Sequence, residues 1–258
     1  MLNVPTAPAP LELRSPTTDR LLGMKRETTN RIRFVIEDLL PPILRDSVLF
    51  RAVAELIWGK HIRALAEFRR RAPFLTSDEY EDLYRAHPRI HDGTDNSLQC
   101  MELISRHAVG PTLCDVGCGT GHLMRFIKSH SERTFARMVG VDFVLQGMTT
   151  DPSIEFVSGM IEQLPFADRA FDTVICTHVI EHILDYRAAI AEIRRIAARR
   201  LIIVVPRERE GLYSFNPHFN FFPYKHSFLR AMIPVPRNHV CVDAGRDIFY
   251  MEDIGGGP

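Results

Sequence analysis

The apolar positions of this chain change period part-way along it. From Thr28 to Ala72 they recur at three- and four-residue spacing, through "NRIRFVIEDLL", a Pro41-Pro42 break and "ILRDSVLFRAVAELIWGKHIRALAEFRRR". That spacing predicts amphipathic helices, with Pro73 closing the last. "TSDEYEDLYRAH" predicts a further short helix, capped by Thr76 or Ser77 and acidic in its first turn. From Pro111 onward, short apolar runs alternate with helical stretches: "TLCDVG", "RMVGVDF", "IEFVSG", "FDTVICTH" and "RLIIVVP". Their β-branched, nearly continuous apolar character predicts parallel strands buried on both faces and joined by crossover helices. Beyond them lie an aromatic segment, "REREGLYSFNPHFNFFPY", a helix-like "KHSFLRAMI", and "HVCVDAGRDIFYMED". The last reads as two strands around an Asp-Ala-Gly-Arg turn, a terminal hairpin.

The expected fold is therefore α/β: a mostly parallel sheet ending in an antiparallel hairpin, with a helical extension before it. Residues 1–18, rich in Pro, Ala and Thr, are expected to form a disordered tail. Residues 19–108 are expected to be the helical extension or lid, and 109–258 the sheet domain. The apolar stripe of the helices could meet a membrane surface or a partner, but packing on the neighbouring domain is the favoured reading.

Composition narrows the picture by exclusion. Lys plus Arg equals Asp plus Glu at 32 each, so no global field draws the chain to nucleic acid or an anionic membrane. Five cysteines form no C-x-x-C pair, and Cys114, Cys118 and Cys176 sit in or beside apolar runs. Reduced thiols fit this better than disulfides or a metal pair. The N-terminus lacks the basic start and continuous apolar core of a signal peptide, and no run approaches the roughly 20 apolar residues that span a bilayer. A cytoplasmic protein is expected.

"LCDVGCGTGHL" sets Gly117, Gly119 and Gly121 between a strand and a helix, where bare backbone can approach a ligand. A dinucleotide fingerprint would read G-x-G-x-x-G; this is G-x-G-x-G, with Asp115 two positions ahead. Asp115 would repel a pyrophosphate but suits the ammonium of an amino acid. Asp142, about twenty residues on, is placed to take ribose hydroxyls. A nucleoside carrying an amino acid satisfies both.

On these residues the segment from about Leu113 to Pro206 resembles the core of the class I S-adenosylmethionine-dependent methyltransferases. "DVGCGTG" is similar to their first motif, Asp142 to the acidic end of the second strand, "GMIEQLPF" to the adenine-side loop, and "FDTVICTHVIEHI" to the fourth strand and its loop. The resemblance implies a Rossmann-like sheet and S-adenosyl-L-methionine as cofactor. It implies a cofactor site of Asp115, Gly117, Cys118, Gly119, Gly121, Asp142, Phe143, Met160, Ile161 and Thr177. Met160 departs from the pattern, standing where many relatives carry an acidic residue for the adenine amino group; backbone and Ile161 are the replacements at hand.

"CTHVIEHILD" places His178, Glu181, His182 and Asp185 at i, i+3, i+4 and i+7, one face if the stretch is helical. Three readings compete: a metal site, a metal-free acid/base histidine (His178 or His182), and a structural polar cap. Similar "E-x-x-E-H" clusters with a later His hold a divalent ion in small-RNA 2′-O-methyltransferases, and a related "V-x-E-H" site occurs in ubiquinone-pathway O-methyltransferases. By that resemblance Glu181 and His182 match the pair, His178 stands where those relatives have Glu, and His218 resembles the distant His. The implied ligands are His178, Glu181, His182 and His218, for Mg, Mn or Zn.

The implied partner is a small organic hydroxyl acceptor, beneath a lid walled by Tyr213, Phe215, Phe219, Phe221, Phe222 and Tyr224. Nucleic acid is disfavoured, because no basic stripe is interleaved with aromatics. Two readings outside this class remain. A nicotinamide oxidoreductase is opposed by Asp115 and the short glycine spacing; a non-catalytic scaffold is opposed by the intact Asp115, Gly117, Gly119 and Asp142. The acceptor's identity and the oligomeric state are not written in the sequence.

Overall fold

A computed structural model describes residues 40–58, 61–76, 79–80, 93–145, 151–213 and 217–255. The expected tail at 1–18 and most of the helix expected in "TSDEYEDLYRAH" lie outside them. The described residues fall into two compact units.

Among the described residues, one unit holds the helices α1 (Pro42–Arg45), α2 (Val48–Trp58) and α3 (His61–Arg71). The continuous pattern after Pro41-Pro42 is interrupted at Ser47, whose hydroxyl donates to Leu44 O and accepts from Phe50 N, so one side chain ends α1 and starts α2. A 3₁₀ turn over Ala72–Phe74 follows α3, as Pro73 requires. Ala54, Leu65, Phe68 and Ala72 are buried. Residues 211–213 belong to this unit: Arg69 donates to Gly211 O and Leu212 O at 2.9 and 2.8 Å, and Leu212 N donates to Asp46.

The second unit runs from His91 to Glu210 and from His218 onward, so it takes in α4 (Leu98–His107), ahead of the 108/109 boundary expected from the pattern. The reason is packing, since Cys100 and Ile104 are fully buried in the sheet domain's core. Its strands are β1 (Thr112–Val116), β2 (Arg137–Asp142), β3 (Ile154–Ser158), β4 (Phe171–Thr177), β5 (Ala197–Pro206), β6 (His239–Ala244) and β7 (Asp247–Asp253). Helix α5 (His122–His130) follows β1, α6 (Tyr186–Ile196) precedes β5, and α7 (Lys225–Ala231) precedes β6.

Together the strands form one sheet in the order β3-β2-β1-β4-β5-β7-β6, parallel through β5, with β7 antiparallel to β5 and β6. The α/β expectation with its terminal hairpin holds. Alternate residues feed two cores: Leu201, Ile203 and Val205 of β5 face one, Ile202 and Val204 the other. Burial on both faces explains why these strands read as unbroken apolar runs. The strand order reverses between β1 and β4, which opens a crevice beyond their carboxyl ends, where such sheets bind ligands.

Candidate active site at the strand ends

The first half of the site is built at the end of β1. Gly117 N and Cys118 N donate to Val141 O at 2.7 and 3.0 Å, folding the glycine loop toward β2. Gly119 N then donates to Asp142 Oδ2 at 2.9 Å, and Val144 N to Oδ1 at 3.0 Å, so two amides orient the Asp142 carboxylate. Gly117 has φ 74°, and a Cβ there would lie 2.1 Å from Val179 Cγ2 of the β4 loop. The loops after β1 and β4 thus touch at a point that only glycine permits.

Asp115 is 1% exposed, and its Oδ1 is buried without a hydrogen bond. Burial, then the charge of Asp142, pushes its carboxyl up to about 8. An orphaned carboxyl oxygen at a glycine loop is a place where a cationic ligand group would replace lost hydration. Ile161 is buried and Met160 half-buried; Gly159 N donates to Asp142 O at 3.3 Å and brings their loop to the end of β2. Phe143 is half-buried beside Asp142, and Gly121 caps the start of α5 in a left-handed conformation. Thr177 ends β4, and its hydroxyl accepts from Asn96 Nδ2 at 2.9 Å.

The second half departs from the expected helix. His178 N stays in the ladder, donating to Val204 O at 2.9 Å, but its φ is 54°, a strained value for a residue with a side chain. Only a 3₁₀ turn, Ile180–His182, follows before Ile183 returns to extended backbone. The four polar residues do not share one helical face. Asp185 is the N-cap of α6, accepting from Ala188 N at 3.1 Å, a structural role. His178 sits between two carboxylates, with Nδ1 3.5 Å from Glu181 Oε1 and Nε2 3.8 Å from Asp247 Oδ1. Burial alone would lower its pKa; contacts with Glu181 and the charges of Asp247 and Asp95 outweigh that and lift it to about 9.

Glu181, His182 and His218 do come together, with one donor atom from each lying within 4.8 Å of the others. His178 is not in that cluster. Glu181 is 1% exposed, and neither of its oxygens makes a hydrogen bond. Burial would raise its pKa, but His178, His182 and His218 hold it low, so it is a carboxylate. The rings of His182 and His218 meet edge-on, 4.6 Å between centroids.

The residue that assembles this cluster is Asn220, which sequence reasoning missed. Its Nδ2 donates to Ile180 O at 2.8 Å and Ile183 O at 2.7 Å, while Phe219 N and Asn220 N both donate to Glu181 O. The segment after β5 is thereby clamped onto the 3₁₀ turn, and His218 arrives beside His182. Of the expected aromatic wall, Phe222 packs in the core against Phe228 at 5.2 Å and Tyr224 is exposed at the start of α7. Phe219 and Phe221 are half-buried, Tyr213 lies in the other unit, and Phe215 is outside the described residues. None of the five cysteines is in a disulfide.

Residues 114–204 match the model of a methyltransferase domain. The chain is 26% identical over 126 residues to the uncharacterized methyltransferase YcgJ of Bacillus subtilis (strain 168), covering 45% of this chain and 47% of that protein. It is 30% identical over 87 residues to malonyl-[acyl-carrier protein] O-methyltransferase of Serratia marcescens, covering 34% of each. The chain thus spans less than half the length of these curated relatives. Among solved structures, the PH0226 protein of Pyrococcus horikoshii OT3 is similar in fold, with a TM-score of 0.50 at 20% identity over 67% of this chain and 98% of that one.

Proposed function

We propose, from the premise that this chain carries a class I S-adenosylmethionine-dependent methyltransferase domain, that it methylates a hydroxyl oxygen of a small organic acceptor. We further propose that a divalent cation held by Glu181, His182 and His218 assists. S-adenosylmethionine fits the crevice: the buried, unpartnered Asp115 Oδ1 suits its ammonium, the amide-held Asp142 carboxylate suits its ribose hydroxyls, and the bare Gly117 leaves room for backbone approach. When bound, its sulfonium supplies an already activated methyl group, so what the protein must add is alignment and removal of the hydroxyl proton.

The observation that carries the cation is the cluster itself: Glu181, a buried carboxylate whose oxygens make no hydrogen bond and whose Oε1 lies 3.5 Å from His178 Nδ1, has a donor atom of His182 and one of His218 within 4.8 Å. His178 offsets part of the cost of burying this carboxylate, and a divalent ion would offset more. One carboxylate and two imidazoles suit a divalent ion, which would lower the acceptor's pKa and orient its oxygen. Oxygen as the acceptor atom is supported by one relative's being named an O-methyltransferase. A second reading rests on His178: boxed by carboxylates and lifted to about 9, it is protonated near neutral pH, which leaves half-buried His182 as the base of a metal-free reaction.

Metal analysis of the purified protein, with methyl transfer measured before and after exhaustive chelation, separates the two. The cation reading expects activity to fall on chelation and to return with Mg²⁺, Mn²⁺ or Zn²⁺, while cofactor binding holds. Full activity without metal would overturn it in favour of His182. A protein that binds no S-adenosylmethionine in calorimetry would remove both.

A further inference from the structure

We infer that Glu208 is the positioning residue of the Glu181–His182–His218 cluster: it holds His218 through Nδ1 and so dedicates Nε2 to the ligand. The inference rests on the cation reading above and deepens it with a residue that no motif marks. Glu208 lies two residues past the end of β5, 4% exposed, and His218 is 6% exposed. Glu208 Oε2 and His218 Nδ1 are 2.6 Å apart, a short, buried, charge-assisted contact. A carboxylate only accepts hydrogen bonds, so Nδ1 must carry the proton. The lone pair of a neutral His218 is then on Nε2, the one ring atom left for a cation.

The backbone supports the same assignment. Phe219 N and Asn220 N hold the chain beside Glu181 O, fixing where the His218 ring starts, and Glu208 fixes how it turns. The ring edge meets His182 at 4.6 Å between centroids. A carboxylate behind a ligating imidazole orients the ring and raises its basicity, and losing it typically weakens metal affinity by about 10- to 100-fold.

The tautomer can be read directly by ¹⁵N NMR of histidine-labelled, metal-free protein above the ordinary imidazole pKa of about 6.5. His218 should carry its proton on Nδ1, and zinc should then shift Nε2 with Nδ1 still protonated. Glu208→Leu should release the tautomer and weaken Co²⁺ or Zn²⁺ binding by about 10- to 100-fold. Glu208→Gln, whose amide oxygen still accepts from Nδ1, should keep the tautomer and lose less. Unchanged S-adenosylmethionine affinity in each variant reports an intact fold; if Glu208→Leu does not fold, the wild-type tautomer and Glu208→Gln still decide. A proton on Nε2 alone in the wild type, or full Co²⁺ affinity in a folded Glu208→Leu protein, would overturn the assignment. A wild type that takes up no Co²⁺ or Zn²⁺ would defeat the cation reading itself, and the metal-free tautomer would still decide what Glu208 does.

Discussion

Gly117→Ala should damage the site from its hinge point, and the damage divides into two parts that can be measured separately. The first is conformational: Gly117 has φ 74°, and holding an L-residue in the left-handed region costs roughly 1–2 kcal/mol. The second is steric, because the new methyl would lie 2.1 Å from Val179 Cγ2, a branched side chain with little rotamer freedom. Overpacking of this kind costs about 1–3 kcal/mol. The total is about 2–5 kcal/mol, a large share of the roughly 5–15 kcal/mol that holds a domain folded. Urea unfolding at constant slope gives the loss, and calorimetry gives the change in cofactor affinity. Val179→Ala in the Gly117→Ala background should recover the steric part and leave the conformational part, a non-additivity of about 1–3 kcal/mol. A Gly117→Ala protein within about 0.5 kcal/mol of the wild type, or strict additivity with Val179→Ala, would refute the contact between the two loops.

Three further outcomes follow from the same geometry. Asp142→Ala removes the carboxylate that Gly119 N and Val144 N hold, and should weaken S-adenosylmethionine binding by roughly 1–3 kcal/mol in calorimetry; an unchanged affinity would place the ribose elsewhere. Asn220→Ala removes the side-chain donor from Ile183 O and leaves Ile180 O with Ile183 N alone, and should cost about 1–3 kcal/mol and most of the methyl transfer while cofactor binding persists; unimpaired turnover would show that His218 does not need the clamp. Asp115, raised to about 8 by burial and by Asp142, is largely protonated at neutral pH in the ligand-free protein. Stability from this group is therefore greatest below the ordinary carboxylate range and is lost as pH rises through about 8, whereas cofactor affinity should climb toward pH 8 with release of a proton, by up to about tenfold per unit. Asp115→Asn should flatten both trends, and wild-type affinity without pH dependence across that window would disprove the link.

The sheet was legible because its strands obey a rule that sequence displays. A strand buried on two faces is apolar at nearly every position, and "LIIVV" and "VIC" show that openly. The glycine loop was legible for a related reason: Gly117 is demanded by local backbone shape and by a close neighbour, both of which leave a mark at the position itself. The place of α4 was less so. Its apolar spacing predicts a helix but not which core it enters, and Cys100 and Ile104 join the sheet through contacts with strands far along the chain, such as the Cys100 thiol with Ala244 O at 3.6 Å. The aromatics of residues 213–224 failed as a group for the same reason. Composition says that Phe222 and Tyr224 are large and apolar, while only packing decides that one fills the core and the other faces outward.

The polar stretch after β4 shows most clearly where periodicity stops informing. Spacing at i, i+3, i+4 and i+7 is the signature of a helical face, but His178, still donating to Val204 O, holds φ 54°, which lies outside the right-handed helical region. A single 3₁₀ turn follows, and the His178 imidazole lies between Glu181 and Asp247, outside the cluster of Glu181, His182 and His218. His218, 36 residues on from His182, joins Glu181 and His182 because Asn220 bonds Ile180 O and Ile183 O while Phe219 N and Asn220 N bond Glu181 O. One bend thus presents both the carbonyls that Asn220 holds and the Glu181 carboxylate on which the proposed cation site rests.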